Sequence, residues 1–447
     1  LNVTDPQSRP GLTIVPRSEH GISRSNVSEN ALKVLYRLKN AGFGAFLVGG
    51  GVRDLLLGKH PKDFDIVTDA HPEQIKDLFR NARLIGRRFR LAHVRFGRDV
   101  VEVATFRAAA TGNGNGEHDD RSLSDSGRIL RDNVYGTIEE DIWRRDFTVN
   151  ALYYNIADFS VWDFTTGFED IRSRTLRLIG DPQTRYREDP VRMLRAVRFA
   201  GKLGFELAPE TAKPILELGS HLRDVPPARL FEEVLKLFQS GHAVRSFELL
   251  VQYDLLAYLF PSTSAVLAGE HGAAALDFIR QGLANTDARI AEDKPVTPMF
   301  LYAVLLWPAI KELTETLLPH ADGNEFEAMN EASHRVVTEQ VIRTSLPKRF
   351  SAPMREMLAM QRRFNTRQGA RAARLLEHKR FRAAYDFLLL RAHCNEVETE
   401  VADWWTEIQQ RQPAAQRDAM GAKSKRGAKR RRGGRRARRS APTDTVG

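Results

Sequence analysis

The sequence predicts an α+β protein, with a mixed-sheet head, an all-helical neck and body, and a disordered basic tail. Three observations lead there. Between Ala45 and Phe106, short apolar runs with strand alternation are spaced by turn residues and brief helical stretches. From Asp189-Pro190 to about Gln410, helical patterns follow one another with no fixed-period repeat. Lys423–Arg439 then carries eleven Lys and Arg and no acid.

The 447 residues suffice for two or three domains with ample cores. Of the 68 Lys and Arg, those outside Lys423–Arg439 balance the 57 Asp and Glu, so the run holds essentially all of the net charge of +11. Interspersed Gly, Ala and Ser without apolar periodicity make it a disordered arm. Such an arm is a solvated tail, a nuclear-type address or an electrostatic tether for RNA. A single cysteine, Cys394, excludes an internal disulfide and a cysteine-rich zinc site. No apolar run approaches a membrane span, and the polar stretch Asn2–Asn30 has no signal-peptide core. The expectation is a cytoplasmic protein.

Taken in order, residues 1–27 read as a disordered extension, and Ala31–Leu38 as a helix packed under the first strand. Strands are predicted at Ala45–Gly49, Phe64–Thr68, Ala82–Ile85, Phe89–Phe96 and Val100–Phe106, the last two joined through Gly97-Arg98-Asp99 as a hairpin. Pro72 suits a first helical position. Because a hairpin interrupts strand–helix alternation, a doubly wound fold is not expected. Thr111–Gly127 reads as a mobile insertion. Its Gly112-x-Gly114-x-Gly116 follows no strand and opens no helix, so it is no dinucleotide fingerprint. His118-Asp119 lacks the partners that a phosphohydrolase needs. Thr137-Ile138-Glu139-Glu140 fits a capping box for a helix carrying Arg144, Arg145 and Asp146 on one turn. Phe159–Phe164 and Thr175–Ile179 are β-like. The expected domains are a head at 28–155, a neck at 156–260, a body at 261–411 and a tail at 412–447, after the 1–27 extension.

The chemistry concentrates in Phe46–Asp54 and Lys62–Val67. A strand ends in Gly49-Gly50-Gly51, a helix opens at once, and Gly58 stops it. Glycines before a helix N-terminus let phosphate oxygens approach backbone N–H groups. On the next strand Asp63 and Asp65 share a face. Paired carboxylates suit divalent cations, Mg²⁺ or Mn²⁺, holding a triphosphate and an attacking hydroxyl. No Walker A loop is present: His60 follows Gly58-Lys59, and the earlier glycine is missing. Glu102 is either a third metal carboxylate or an exposed strand glutamate. Arg53, on the first turn after the glycines, either contacts phosphate or pairs with Asp54 or Asp63. Asp189 is a good N-cap and Pro190 a good first residue for a helix on which Arg192, Arg195 and Arg198 form a basic stripe. Leu194, Val197 and Gly201 form its packing face. Together these read as a metal-dependent nucleotidyl-transfer site.

The stretch Ala45–Ala70 resembles the signature of bacterial class II nucleotidyltransferases, the group of poly(A) polymerases and CCA-adding enzymes. Val101–Arg107, Arg144–Leu152 and Glu188–Phe199 resemble later motifs of the same group, in the same order. The similarity is specific over 28–260 and looser beyond. It implies a nucleotidyltransferase head in which Asp63 and Asp65 bind metal and Asp146 joins them as a catalytic residue acting on the sugar. It implies nucleotide contacts at Gly49, Gly50, Arg53, Arg144, Arg145, Asp189, Arg192 and Arg195. Asp189 and Arg192 would read the incoming base, while Arg195 or Arg198 contacts phosphate or orients the template. Gly86–Val94 and, less specifically, Leu376–Asp386 resemble the polyadenylating branch. The basic arm suits holding RNA regardless of sequence. The expected reaction is therefore transfer of AMP from ATP to RNA 3′ ends, with RNA-decay proteins as candidate partners. A CCA-adding tRNA nucleotidyltransferase and an inactive RNA-binding module are the alternatives. A drug-modifying nucleotidyltransferase would need neither the template motif nor the arm.

Overall fold

The computed structural model describes residues 11–86, 90–108, 121–123, 129–132, 134–367 and 369–411. They fall into two compact units. One takes the chain as far as Ser264, with Thr286–Pro295 and Ile342–Ser345; the other takes Ala265–Asn285, Val296–Val341 and the chain from Leu346. The expected head and neck thus share one unit.

An eight-stranded mixed sheet organises the first unit. Its strands are β1 (Thr13–Val15), β2 (Ala45–Val48), β3 (Asp65–Thr68), β4 (Ala82–Ile85), β5 (Leu91–Phe96), β6 (Asp99–Thr105), and, after a separate hairpin of β7 (Arg121–Leu123) and β8 (Ile129–Asp132), β9 (Leu152–Asn155) and β10 (Val161–Asp163). The order is β1-β10-β9-β2-β3-β6-β5-β4, with β3 and β6 parallel and the other neighbours antiparallel. The β5–β6 turn places Gly97 at φ +63°, which glycine adopts without strain.

Both faces of the central strands are covered, and all four residues of β2 are buried. Helix α1 (Glu29–Asn40), capped by Ser28, lays Val34, Leu35 and Leu38 on one side. On the other, Phe46, Val48, Val67 and Phe106 pack with Ile142 and Tyr153. Fully burying a side chain of this size contributes about 1.5–3 kcal/mol, so the centre of the sheet is the rigid part that carries the site.

Helices α2 (Gly50–Leu56) and α3 (Pro72–Leu78) follow β2 and β3, and α4 (Ile138–Trp143) precedes β9. Beyond β10 come α5 (Gly167–Arg172), α6 (Pro182–Glu188), α7 (Val191–Leu203), α8 (Pro209–Leu218), α9 (Pro227–Phe238) and α10 (Ala243–Gln252). Helix α7 packs on α9 and α10. A Cβ on Gly201 would stand 3.0 Å from Ser246 Oγ, so glycine sets the α7–α10 approach.

Several expectations are corrected. Residues 11–27 are ordered: β1 pairs with β10, and Ile22 and Val27 are buried. Three strand residues completing an edge leave no alternation to read. The sheet also runs past the expected head boundary at 155, since β10 belongs to it. The helical reading after Asp189 misses a two-residue strand, β12 (Glu206–Leu207), parallel to β11 (Thr175–Leu176). Most of Thr111–Gly127, the arm 412–447 and part of Gly86–Val94 lie outside the described residues.

The second unit is helical. In Pro298–Leu317 a run from Leu301 to Ile310 is buried throughout. Another core gathers Phe364, Phe381 and Trp405, whose indole N–H donates to the Phe364 carbonyl at 2.9 Å. No helix among the described residues is long and apolar enough to cross a membrane.

Candidate active site

The register of the sheet brings the motifs together. Val48, the last residue of β2, is paired with Asp65 on one side and Tyr153 on the other. The chain then turns at Gly49, whose φ of +74° and ψ of −141° suit glycine alone, and enters α2, whose N-terminus no side chain caps. A Cβ on Gly49 would meet Asp65 Oδ2 at 3.8 Å and Arg145 Nη1 at 3.9 Å. The glycine turn therefore lies close to both a carboxylate and a guanidinium.

Asp65 opens β3, and its parallel neighbour on β6 is Glu102. Desolvation first, then the charges of Glu102 and Asp63, push the Asp65 carboxyl above its usual range, with Arg145 opposing. Negative charge thus accumulates at this edge. Asp63 stands two residues ahead of β3, so its shared face with Asp65 does not follow from strand alternation as expected. Glu102 Oε1 lies 3.2 Å from His93 Nε2, its cross-strand neighbour. Among the described residues, no group of three or more His, Cys, Asp or Glu is arranged to hold a metal ion.

Next to this edge is a cavity of about 460 Å³. All eight residues expected to contact nucleotide line it, together with Asp146, whereas Asp63, Asp65 and Glu102 do not. Asn150, Phe199 and Arg229 complete the lining. Six arginines against two aspartates make the wall strongly cationic.

Most of these groups already hold one another. Arg53 is 2 % exposed; its Nε donates to Asp54 at 2.9 Å and its Nη1 to Asn150 Oδ1. The Asp54 pairing, one of its two expected roles, is present. Asp146 Oδ1 accepts from Phe147 N at 2.8 Å and Asn150 Nδ2 at 3.2 Å, and Oδ2 accepts from Arg195 Nε at 2.9 Å and from Nη2. Burial favours the neutral acid, but Arg195 and these hydrogen bonds outweigh it and hold the Asp146 carboxyl below the usual range. The same pairing holds Arg195 charged despite desolvation. The guanidinium carbons of Arg53, Arg195 and Arg198 lie 5.5, 5.5 and 4.5 Å from the ring centre of Phe199.

Two local readings are revised. Helix α4 ends at Trp143, so Arg144, Arg145 and Asp146 follow it rather than share a turn. Arg185 Nη2 donates to the Arg145 carbonyl at 2.7 Å, capping that end with a cation. Helix α7 starts at Val191 with Pro190 before it, and Asp189 Oδ1 accepts from Val191 N at 3.3 Å. Its Oδ2 accepts from Arg229 at 2.7 Å. Arg192 Nη1 donates to the Arg185 carbonyl at 2.7 Å and to Glu188 at 2.9 Å. Asn150 and Phe199 lie inside the motifs Arg144–Leu152 and Glu188–Phe199 and were open to inference; Arg229, on α9, carries no local signal.

A cationic cavity beside a glycine turn and an acidic strand edge is the equipment of a nucleotidyltransferase, and the comparisons agree. The model described as "Poly A polymerase head domain" matches residues 45–177. "Probable RNA and SrmB- binding site of polymerase A" matches 204–267, and "Polymerase A arginine-rich C-terminus" matches 321–440. Poly(A) polymerase I of Salmonella typhi is 50% identical over 416 residues, 92% of this chain and 88% of that protein. A CCA-adding enzyme of Lactobacillus helveticus is 36% identical over 225 residues, 50% of this chain and 53% of that protein. A solved structure titled "tRNA-processing enzyme (apo form I)" shares the fold, with TM-score 0.57 and 22% identity over 87% of this chain and 93% of that one. The chain belongs to the bacterial poly(A) polymerase I family.

Proposed function

We infer that this chain is a template-independent polynucleotide adenylyltransferase, transferring AMP from ATP to an RNA 3′-hydroxyl and releasing pyrophosphate. The observation that carries this reading is the 50% identity to poly(A) polymerase I along nearly the whole chain. The sequence match to the CCA-adding enzyme of Lactobacillus helveticus is 36% identical and covers half of it.

The triphosphate would lie along the arginine wall, where Arg144 and Arg145 offer charge-assisted hydrogen bonds and the Gly49 turn leaves room for phosphate oxygens. Asp63 and Asp65 would hold Mg²⁺ or Mn²⁺. The fit is supported by an all-oxygen donor set and by the nearness of the Glu102 and Asp63 charges to Asp65. Mg²⁺ is commonly held by one or two carboxylates plus substrate phosphates, so a protein cage of three donors is not required. The ion, when bound, supplies Lewis-acid stabilisation of charge on the reacting phosphate. Glu102, turned to His93, would tune this edge rather than complete it.

Arg53 would act from beneath, through Asn150 and Asp54, and Asp146 would fix Arg195 while offering the sugar an acceptor. Base reading by Asp189 and Arg192 requires them to exchange Arg229, Arg185 and Glu188 for the adenine edge. The match at 204–267 supports RNA and protein partners on the neck. The tail 412–447 would tether RNA, and the lone Cys394 suits a reducing cytoplasm. Incubation with unstructured RNA and each nucleotide separately, followed by product sizing, tests the reading. Long adenosine runs from ATP are expected; a C-C-A added to tRNA and then arrest would overturn it.

A further inference from the structure

Arg145 reaches the cavity from beyond the end of α4, where a free guanidinium would have many rotamers. It has one. Nε donates to Tyr153 Oη at 2.8 Å and to Asp141 Oδ2 at 3.1 Å, and Nη2 donates to the same Oδ2 at 2.8 Å. Tyr153 Oη in turn donates to Asp141 Oδ2 at 2.8 Å, which closes the ring of bonds. Tyr153 is fully buried and Asp141 is 8 % exposed, so neither is a solvated partner that drifts. Each has a backbone fixed for other reasons. Tyr153 sits on β9 beside Val48, and Asp141 sits on α4 one residue before the core residue Ile142. The edge of Arg145 left over is Nη1, which lies 3.9 Å from where a Cβ on Gly49 would stand, close to the Gly49 turn.

We propose that Tyr153 and Asp141 are positioning residues that fix Arg145 so that its Nη1 edge meets the triphosphate of ATP at the Gly49 turn. The proposal rests on the nucleotidyltransferase reading of the cavity. The pairing does two things at once. It makes the guanidinium a pre-set donor, so less entropy is lost when phosphate binds. It also commits Asp141 to Arg145, leaving Asp63, Asp65 and Glu102 as the acidic groups bearing on the strand edge. Arg is required, since a lysine cannot hold two partners with one planar face and present a third donor.

The test is a double-mutant cycle on the full chain with saturating unstructured RNA, reading KM for ATP and kcat. Tyr153→Phe removes one hydroxyl and keeps the ring. It should raise KM for ATP by about five- to tenfold, part of the loss of one hydrogen bond to a charged group, with kcat little changed and RNA affinity unaltered. Arg145→Lys should raise KM at least as much. In the Arg145→Lys background, Tyr153→Phe should then have no further effect, because its action passes through Arg145. Additive effects would mean that Tyr153 matters only to packing, and would overturn the proposal. No change in KM with Tyr153→Phe alone would overturn it too. If Arg145→Lys itself leaves KM unchanged, the phosphate role of Arg145 in the site reading falls instead, and the proposal falls with it. Asp141→Asn, in the same cycle, replaces Tyr153→Phe should that variant fail to fold.

Discussion

Replacing Asp146 by asparagine tests the pair that joins the segment after α4 to helix α7 across the back of the cavity. The carboxylate engages Phe147 N and Asn150 with one oxygen and the Arg195 guanidinium with the other. Asparagine keeps the size and one acceptor but leaves Arg195 without its counter-charge. Removing one member of a buried pair costs about 3–5 kcal/mol. Arg195 keeps 33% of its side chain exposed, so the lower end, about 3 kcal/mol, is expected. With a urea slope of about 3 kcal/mol/M, the midpoint at pH 7 should fall by about 1 M. The pH dependence fixes the cause. The folded Asp146 carboxyl lies below its usual range. Its contribution is therefore fully present above the unfolded value of about 3.9 and is lost as pH falls through the folded value. Wild type and Asp146→Asn should differ at pH 7 and converge in strong acid. Equal midpoints at pH 7, or a gap that persists undiminished into acid, would show that the pair is not what stabilises this junction.

Asp63→Asn and Asp65→Asn should each abolish AMP incorporation while leaving RNA affinity nearly unchanged; robust Mg²⁺-supported activity in either, by gel extension assay, would remove the metal assignment. Phe199→Leu should raise KM for ATP about three- to tenfold, because cation–π contacts contribute about 0.5–2 kcal/mol where partly desolvated. Phe199→Tyr, which keeps the ring face, should leave KM at the wild-type value; a rise as large as that of the leucine variant would show that the ring face is not what matters. Deleting Lys423–Arg439 should weaken RNA binding and shorten products with no change in KM for ATP. Each RNA phosphate that the arm no longer neutralises should reduce the slope of log affinity against log salt by about 0.7, and superimposable slopes would make the arm a solvated tail.

What could be read from the sequence divides along the range of the interactions. Strands β2 to β6 and the capping box at Thr137 were legible because their signals are local: alternation, turn glycines, a cap three residues from its partner. The eight residues that the motifs mark as expected nucleotide contacts are gathered by the fold around one cavity. What sequence reading could not supply was how those groups are committed to one another. The Asp146–Arg195 pair spans 49 residues, Arg53–Asn150 spans 97, and Asp189–Arg229 spans 40. None of these spacings has a periodicity that marks a pair. The stripe of Arg192, Arg195 and Arg198 illustrates the difference. Helical spacing alone favours a solvated face, yet α7 turns Arg192 and Arg195 toward the cavity, and Arg198 packs on Phe199 beside them.

That commitment also bears on how ATP would enter. Every carboxylate of the cavity wall, Asp146 and Asp189, is matched to an arginine, and Arg53 is matched to Asp54. The wall is therefore not a set of free cations awaiting phosphate but a paired lattice with a cationic surplus. A polyanion gains from the surplus without first stripping water from each guanidinium, because the pairs have already fixed their geometry. Asp189 and Arg192 differ from the rest. Their side-chain partners, Arg229 and Glu188, are themselves 47% and 49% exposed. Pairs with one half-exposed member contribute toward the low range of exposed pairs, about 0–1 kcal/mol, so exchanging them for an adenine edge would cost less than breaking the Asp146–Arg195 pair, whose carboxylate is 12% exposed. On the proposed reading, the site would separate a rigid phosphate wall from an exchangeable base-reading edge. Arg229→Ala should accordingly alter nucleotide choice, measured as the ratio of kcat/KM for ATP over CTP, with stability close to wild type. If it instead lowers the urea midpoint as far as Asp146→Asn does, the exchangeable edge is an error and Asp189 belongs to the rigid wall.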